Sequence, residues 1–181
     1  MNLDYYKNIV RNHPEEFELF KNKFFPIVMK WEGGGELHNV KGDSGGWTVW
    51  GIAYNYNKAL FDDFNDFKDT TLEEAAYIAF VKYYLAANAE LVPMDSKLYY
   101  FDMCYNMGVS RGIKILQKCI GVNADGRIGN ITKSKIHNVT ECCLMIERNK
   151  FYNRLVENNY KMGKFIKGWL NRSKGIFDFK Y

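Results

Sequence analysis

Residues 31–52 read WEGGGELHNVKGDSGGWTVWGI and contain the sharpest change of pattern in the chain. Before them, apolar residues recur at helical spacing. That period stops at Gly33–Gly35, because three glycines in series are costly to hold in a helix. Further glycines then surround the β-prone residues 47–50, which predicts a short glycine-rich hairpin. The segment therefore predicts a helix that ends beside a small β-structure.

The flanking sequence predicts mostly helix. A helix is expected over residues 14–31, interrupted at Pro26 because proline has no N–H to donate. Thr71 and Glu74 form a capping box ahead of a helix that runs to about Ala87. Four more helices are expected over residues 96–107, 110–120 with Ser110 as N-cap, 140–156 with Thr140 as N-cap, and 165–170. The pattern is that of an α+β fold, mostly α, with one small hairpin.

Composition indicates a globular chain and excludes little else. The 181 residues, 47% of them hydrophobic, predict one domain over residues 1–181. The net charge of +4 is too weak to select an anionic partner. No basic stripe is interleaved with aromatic residues, so we expect no nucleic-acid partner. No apolar stretch approaches the roughly 18 residues that span a bilayer, so we expect no stable membrane insertion.

The cysteines and histidines show no metal-binding pattern. The four cysteines fit neither a zinc motif nor a dense disulfide framework, so we expect them to be reduced and mostly buried. The three histidines lack ligand spacing, and we expect no metal and no cofactor. The first residues show no charged region followed by an apolar run, which predicts synthesis in a cytoplasm without a signal peptide. The chain is expected to be a monomer.

Two carboxylates stand out in the 31–52 segment. Glu32 ends the predicted helix, and Asp43 follows eleven residues later in the glycine-rich loop. Cleavage of a glycosidic bond needs such a pair, one carboxylic acid that donates a proton and one ionised partner. Trp31 and the negative end of the helix favour a neutral Glu32, whereas loop N–H groups favour an ionised Asp43. A Glu at a helix end and an Asp in a turn are common, however, so spacing alone does not establish catalysis.

Several motifs together resemble glycoside hydrolase family 108, a lysozyme-like family of bacterial and phage muramidases. The opening signature is carried by EGG at residues 32–34 and DSGGWTVWGI at residues 43–52. FDMCYNMG at 101–108 and LQKCIGVNADGRIGNIT at 116–132 are similar to the peptidoglycan-binding region that follows in that family. GWLNR at 168–172 resembles its closing motif. Two departures are a loop before Asp43 that is a residue or two long and Asn130 where proline is common.

The resemblance implies a lysozyme-like fold and a muramidase that hydrolyses the β-1,4 bond from N-acetylmuramic acid to N-acetylglucosamine. It makes Glu32 the catalytic acid and places Asp43 and Thr48 as second carboxylate and water-positioning hydroxyl. It also implies a catalytic part over about 14–95 and a helical peptidoglycan-binding part over about 96–175. The expected partner is the glycan strand of bacterial peptidoglycan, reached after synthesis in a bacterial host cytoplasm. A non-catalytic peptidoglycan-binding module and a structural phage protein on a lysozyme fold remain alternatives.

The remaining candidates are side chains that could contact sugar. Trp47 and Tyr54 flank the expected site and could stack on sugar rings, while Trp50 could equally serve the core. Asn106 and Gln117 could bind N-acetyl groups or could form hydrogen bonds within their helices. A basic stretch is expected to be a solvated helix face. It consists of Arg148, Lys150 and Arg154.

Overall fold

The structure, a computed structural model, describes residues 3–39 and 45–179. Within those ranges the chain forms eleven α-helices and three short β-strands, which confirms the α+β, mostly α prediction. The helices are α1 (Asp4–Val10), α2 (Pro14–Leu19), α3 (Phe25–Met29), α4 (Tyr54–Asn57), α5 (Phe64–Lys68), α6 (Leu72–Ala79), α7 (Met94–Met107), α8 (Val109–Cys119), α9 (Asn130–Lys135), α10 (Glu141–Asn158) and α11 (Gly163–Phe177). The strands are β1 (His38–Asn39), β2 (Trp47–Val49) and β3 (Ile52–Ala53).

The chain divides into two compact units, Met1–Lys82 and Tyr83–Tyr181. The division falls inside a π-helical turn, Phe80–Leu85, which continues α6. It therefore comes earlier than the boundary expected at about residue 95. One lysozyme-like domain over residues 1–181 stays a prediction.

The helical run before the glycines is interrupted just before Pro26, the position that the sequence predicts. A π-helical turn, Phe20–Phe24, separates α2 from α3. Pro26 then lies in the first turn of α3, directly after the π-helical turn. The buried side chains of this run include Phe17, Phe20 and Phe24, which anchor the run in the core of the first unit.

The small sheet is antiparallel and has the order β1-β2-β3. Thr48 pairs with His38 on one side and with Ala53 on the other. The turn from β2 to β3 consists of Trp50 at φ 51° and Gly51 at φ 73°. Positive φ at both positions is the geometry of the tightest hairpin turn, which Gly51 adopts without strain. The predicted hairpin is thus confirmed as part of a three-stranded sheet.

Helix α6 begins as the sequence predicts. The Thr71 hydroxyl accepts a hydrogen bond from the Glu74 N–H at 3.2 Å. The Glu74 carboxylate accepts one from the Thr71 N–H at 2.8 Å. The two bonds satisfy N–H groups that a helix start otherwise leaves unpaired. Phe80, the first residue of the π-helical turn that continues α6, packs edge-on against Phe17 of α2, with ring centroids 5.2 Å apart.

The second unit is built around α7. Residues 96–105 of this helix are all buried, as expected for a helix at the centre of a helical unit. Helices α8, α10 and α11 pack on it. Among the described residues, no helix combines the length and apolar character needed to cross a membrane.

Asp102 carries a negative charge into the middle of α7. Its carboxylate is fully buried and accepts a hydrogen bond from Arg148 Nη1 of α10 at 2.7 Å. It also accepts from Nε and Nη2 of Arg172 of α11, at 2.9 and 2.7 Å. Arg148 is itself fully buried, so the expectation that it belongs to a solvated face is wrong, whereas Lys150 and Arg154 are exposed. The ion cluster joins three helices of the second unit.

The expectation that all four cysteines are reduced is wrong for two of them. Cys119, at the end of α8, and Cys143, in the first turn of α10, form a disulfide. Their Cα atoms lie 5.7 Å apart, which is the usual span of such a bond. Cys104 is a buried free thiol, as expected, but the free Cys142 is exposed.

Two other helix predictions are wrong in detail. Ser110 does not cap α8; the helix begins at Val109 after Gly108, whose φ of 89° lets the chain leave α7 and enter α8 at once. The last helix, α11, runs over fifteen residues and not over the six expected. By contrast, Thr140 caps α10 as predicted, since its hydroxyl accepts from the Cys143 N–H at 3.3 Å.

Candidate active site

Glu32 lies at the point where the first helical run ends. The N–H of Gly34 donates to the Met29 carbonyl at 3.1 Å, a bond that closes the last turn. Gly33 and Gly34 have φ values of 78° and 69°, which other residues adopt only with strain. The glycine pair therefore fixes the direction in which the chain leaves Glu32. The Glu32 side chain is half-buried, whereas the neighbouring Trp31 is 40% exposed.

The loop after Glu32 packs on the turn of the hairpin. A Cβ added to Gly35 would lie 2.2 Å from the Trp50 ring, so only glycine allows this approach. The Trp50 indole N–H donates to the Thr70 carbonyl at 2.7 Å. Trp50 is thus used in packing, which was one of its two predicted roles. Its ring holds the chain beyond Glu32 against the sheet, so the acid and the hairpin share one local framework.

Thr48 lies in the central strand of that sheet and is half-buried. Its predicted role in holding a water stays a prediction. Asp43 lies outside the described residues, so its predicted role as second carboxylate stays a prediction too.

Two aromatic side chains lie on and after β2, as the sequence predicts. Trp47 is 41% exposed and meets the ring of Phe64 edge-on, with centroids 5.8 Å apart. Tyr54 is half-buried against Phe64 and Phe67, at 5.2 and 4.9 Å, with the Lys58 ammonium over its ring. Trp47 therefore presents an exposed ring, whereas Tyr54 is in large part a packing residue.

Asn106 lies exposed near the end of α7 in the second unit. A hydrogen bond from Tyr152 sets the orientation of its side-chain amide. The Arg148 Nε–H donates to the Tyr152 hydroxyl at 2.9 Å. That hydroxyl therefore directs its own hydrogen elsewhere, and it donates to Asn106 Oδ1 at 2.9 Å. The Asn106 amide oxygen is thereby turned towards the protein, and its NH₂ group can donate to a ligand. The sequence does not predict this arrangement, because Tyr152 and Asn106 lie 46 residues apart.

Gln117 is buried and organises a loop of the second unit. Its Nε2 donates to Asp125 Oδ1 at 2.7 Å and to the Arg127 carbonyl at 2.9 Å. Its Oε1 accepts from the Gly126 N–H at 2.8 Å. Direct contact of Gln117 with sugar stays a prediction, and its 1% exposure favours a positioning role.

The predicted site residues thus fall into two groups. Glu32, Trp47, Thr48 and Tyr54 belong to the first unit, and Asn106 and Gln117 belong to the second. Over residues 3–39 and 45–179, no three His, Cys, Asp or Glu side chains come together as possible ligands of a metal ion.

Comparison with known families matches most of the chain. Residues 25–108 match the family described as Glycosyl hydrolase 108. We call residues 25–108 the family 108 region. The match ends at Gly108, so the family 108 region includes α7 and Asn106. Residues 111–174 match the family described as Predicted Peptidoglycan domain.

Comparison with solved structures supports the same fold. The structure of Brucella abortus SagA is similar with a TM-score of 0.71 and 23% sequence identity, covering 88% of this chain and 92% of that one. No curated protein sequence matches the chain. The structural likeness shows a lysozyme-like fold. The two family matches support a protein that acts on peptidoglycan.

Proposed function

We propose that the protein is a muramidase that hydrolyses the β-1,4 bond from N-acetylmuramic acid to N-acetylglucosamine, with Glu32 as general acid. The observation that carries the proposal is the position of Glu32 inside the family 108 region. It lies near a helix end, and the positive φ values of Gly33 and Gly34 set the direction of the chain after it. Gly35 then packs on the ring of Trp50 in the hairpin turn. A general acid must be held still within reach of the leaving oxygen, and this framework is suited to that task.

The reaction needs a second group. The Glu32 proton goes to the glycosidic oxygen as the bond to the anomeric carbon breaks, and positive charge develops on that sugar. We propose that Asp43 stabilises this charge or activates water, and that the Thr48 hydroxyl holds the water. The exposed rings of Trp31 and Trp47 are suited to stacking on sugars.

Asn106 is suited to recognising N-acetyl groups. Because Tyr152 occupies its amide oxygen, the amide NH₂ is the end that remains to meet a ligand. An N-acetyl carbonyl is an acceptor that this donor would bind. The role of Asn106 is therefore to favour acetylated glycan.

The disulfide bears on where the protein acts. A bond between Cys119 and Cys143 persists in oxidising compartments, such as the wall side of the bacterial membrane. We propose synthesis in the host cytoplasm and action on the wall after release. Peptidoglycan lies on the outer side of the bacterial membrane, where the oxidising environment would keep the Cys119–Cys143 disulfide formed.

Digestion of purified peptidoglycan, with mass analysis of the released ends, tests the proposal. New reducing muramic acid ends are the expected result. Reducing glucosamine ends, anhydro-sugar ends or cut peptides would each identify a different enzyme. Tight binding to the wall without any new end would favour the alternative of a non-catalytic module, which the match over residues 111–174 also allows.

A further inference from the structure

The second unit contains an open cavity of about 400 Å³ beside α8 and α9, and Asn106 is not among its lining residues. Clefts of about this size bind small organic ligands in many proteins. Gln117 and Thr132, both buried, lie at its base. The other lining residues are Val122, Asn123, Asp125, Arg127, Gly129, Asn130 and Ile131.

Hydrogen bonds of Gln117 fix the shape of the cavity in the ligand-free protein. The three hydrogen bonds of Gln117 tie α8 to the backbone and side chains of residues 125–127. A fourth joins Gln117 to the Thr132 hydroxyl at 3.2 Å, so both ends of the loop are fixed to one amide. A preformed site loses less entropy on binding than a mobile one.

The lining suits a peptide that carries carboxylates. Arg127 is exposed at the cavity, and a guanidinium forms paired hydrogen bonds with a carboxylate. Asn123 and Asn130 offer amides that pair with peptide groups. Ile131 is 71% exposed and offers an apolar surface to a small side chain.

The same lining is poorly suited to sugar. Proteins grip flat sugar faces with aromatic rings, and no aromatic residue is among those that line this cavity. The exposed tryptophans, Trp31 and Trp47, lie in the first unit. Within peptidoglycan, the part that combines amide bonds, carboxylates and methyl groups is the peptide stem.

We infer that the cavity formed by residues 122–132 binds the peptide stem of peptidoglycan, with Arg127 on a stem carboxylate and Ile131 against an alanine methyl. The inference rests on the proposed function only in taking peptidoglycan as the substrate. It assigns the second unit a ligand different in chemistry from the glycan that Glu32 would cleave.

Calorimetric titration of the full chain with N-acetylmuramoyl pentapeptide tests this inference. The probe has no bond between two sugars, so its binding does not depend on hydrolysis and a failed muramidase assay would leave the result intact. We expect the pentapeptide probe to bind and N-acetylmuramic acid alone to bind at least tenfold more weakly. Arg127→Gln should weaken binding of the pentapeptide about tenfold or more, the usual effect of losing a hydrogen bond to a charged group.

Lys133→Gln is the matched control, because Lys133 is exposed beside the cavity without lining it. This variant should bind the pentapeptide within about twofold of the wild type, because an exposed charge that does not line the cavity contributes little to binding. Ile131→Ser should weaken binding severalfold with the charges intact. Equal binding of the sugar without the stem, no binding of the pentapeptide, or equal losses in Arg127→Gln and Lys133→Gln would each overturn the inference.

Discussion

Asp102→Asn perturbs the buried ion cluster of the second unit with little change of shape. The substitution removes the charge that accepts three hydrogen bonds, one from Arg148 and two from Arg172. Both guanidinium groups would then remain in the interior without the anion they share. Breaking a buried ion pair from one side costs about 3–5 kcal/mol, because the remaining charge stays desolvated. We expect the free energy of unfolding to fall by about 4 kcal/mol, roughly a thousandfold in the equilibrium constant.

Urea unfolding followed by circular dichroism measures this loss, and hydrogen exchange of peptides from α7 and α10 localises it. Asp95→Asn is the matched control, since Asp95 is exposed in the first turn of the same helix. Its loss should stay below about 1 kcal/mol, the usual worth of a charge at a helix end. Equal losses in the two variants would refute the reasoning.

The same pair of proteins gives a pH dependence. Burial alone would raise the pKa of the Asp102 carboxyl, but Arg148 and Arg172 outweigh it and hold that pKa below its ordinary value. The folded value is therefore lower than the unfolded value of about 3.9. The stabilisation is fully present above that pH and is lost as the pH falls through the folded value. The stability gap between wild type and Asp102→Asn should be constant from pH 6 to 8 and should shrink in acid.

Three further changes have defined outcomes. Gly168→Ala, in an exposed part of α11 with no atom within 4 Å of the added Cβ, should raise the free energy of unfolding by about 0.5–1 kcal/mol in urea; a loss would show a clash. Tyr152→Phe removes the hydrogen bond that orients the Asn106 amide. KM for acetylated peptidoglycan should then rise about fivefold, the effect of losing one hydrogen bond, with kcat nearly unchanged. An equal rise in KM on chemically deacetylated substrate would argue against Asn106 as the N-acetyl contact. Reduction of the Cys119–Cys143 bond, which closes a separation of 24 residues, should cost about 3 kcal/mol, and Cys143→Ser should not respond to reductant.

Local signals in the sequence predicted local structure well. The capping box at Thr71, the helix end at Gly33 and the break at Pro26 each depend on hydrogen bonds between residues a few positions apart. The structure shows the capping box as predicted. It places the end of α3 at Met29 and the interruption at Phe20–Phe24, each a few residues before the predicted position. That Glu32 lies close to the end of a helix was therefore predictable from the residues around it.

Long-range pairing was not predictable in the same way. Arg148 has exposed basic neighbours along the chain, and only its contact with Asp102, 46 residues away, explains its burial. Cys119 and Cys143 form a bond because α8 and α10 pack together, which their spacing does not reveal. The one available signal for the cluster was a charged residue, Asp102, in the middle of an apolar helix, where a buried charge requires partners.

The central claim concerns the proton of Glu32. Glu32→Gln keeps the size of the side chain and removes the acid, so the variant should fold with the wild-type circular dichroism spectrum. Its release of reducing ends from purified peptidoglycan should be about 10²–10⁴-fold slower than that of the wild type, which is the usual worth of a positioned general acid. Release at nearly the wild-type rate by the folded variant would contradict the account and remove Glu32 from the mechanism.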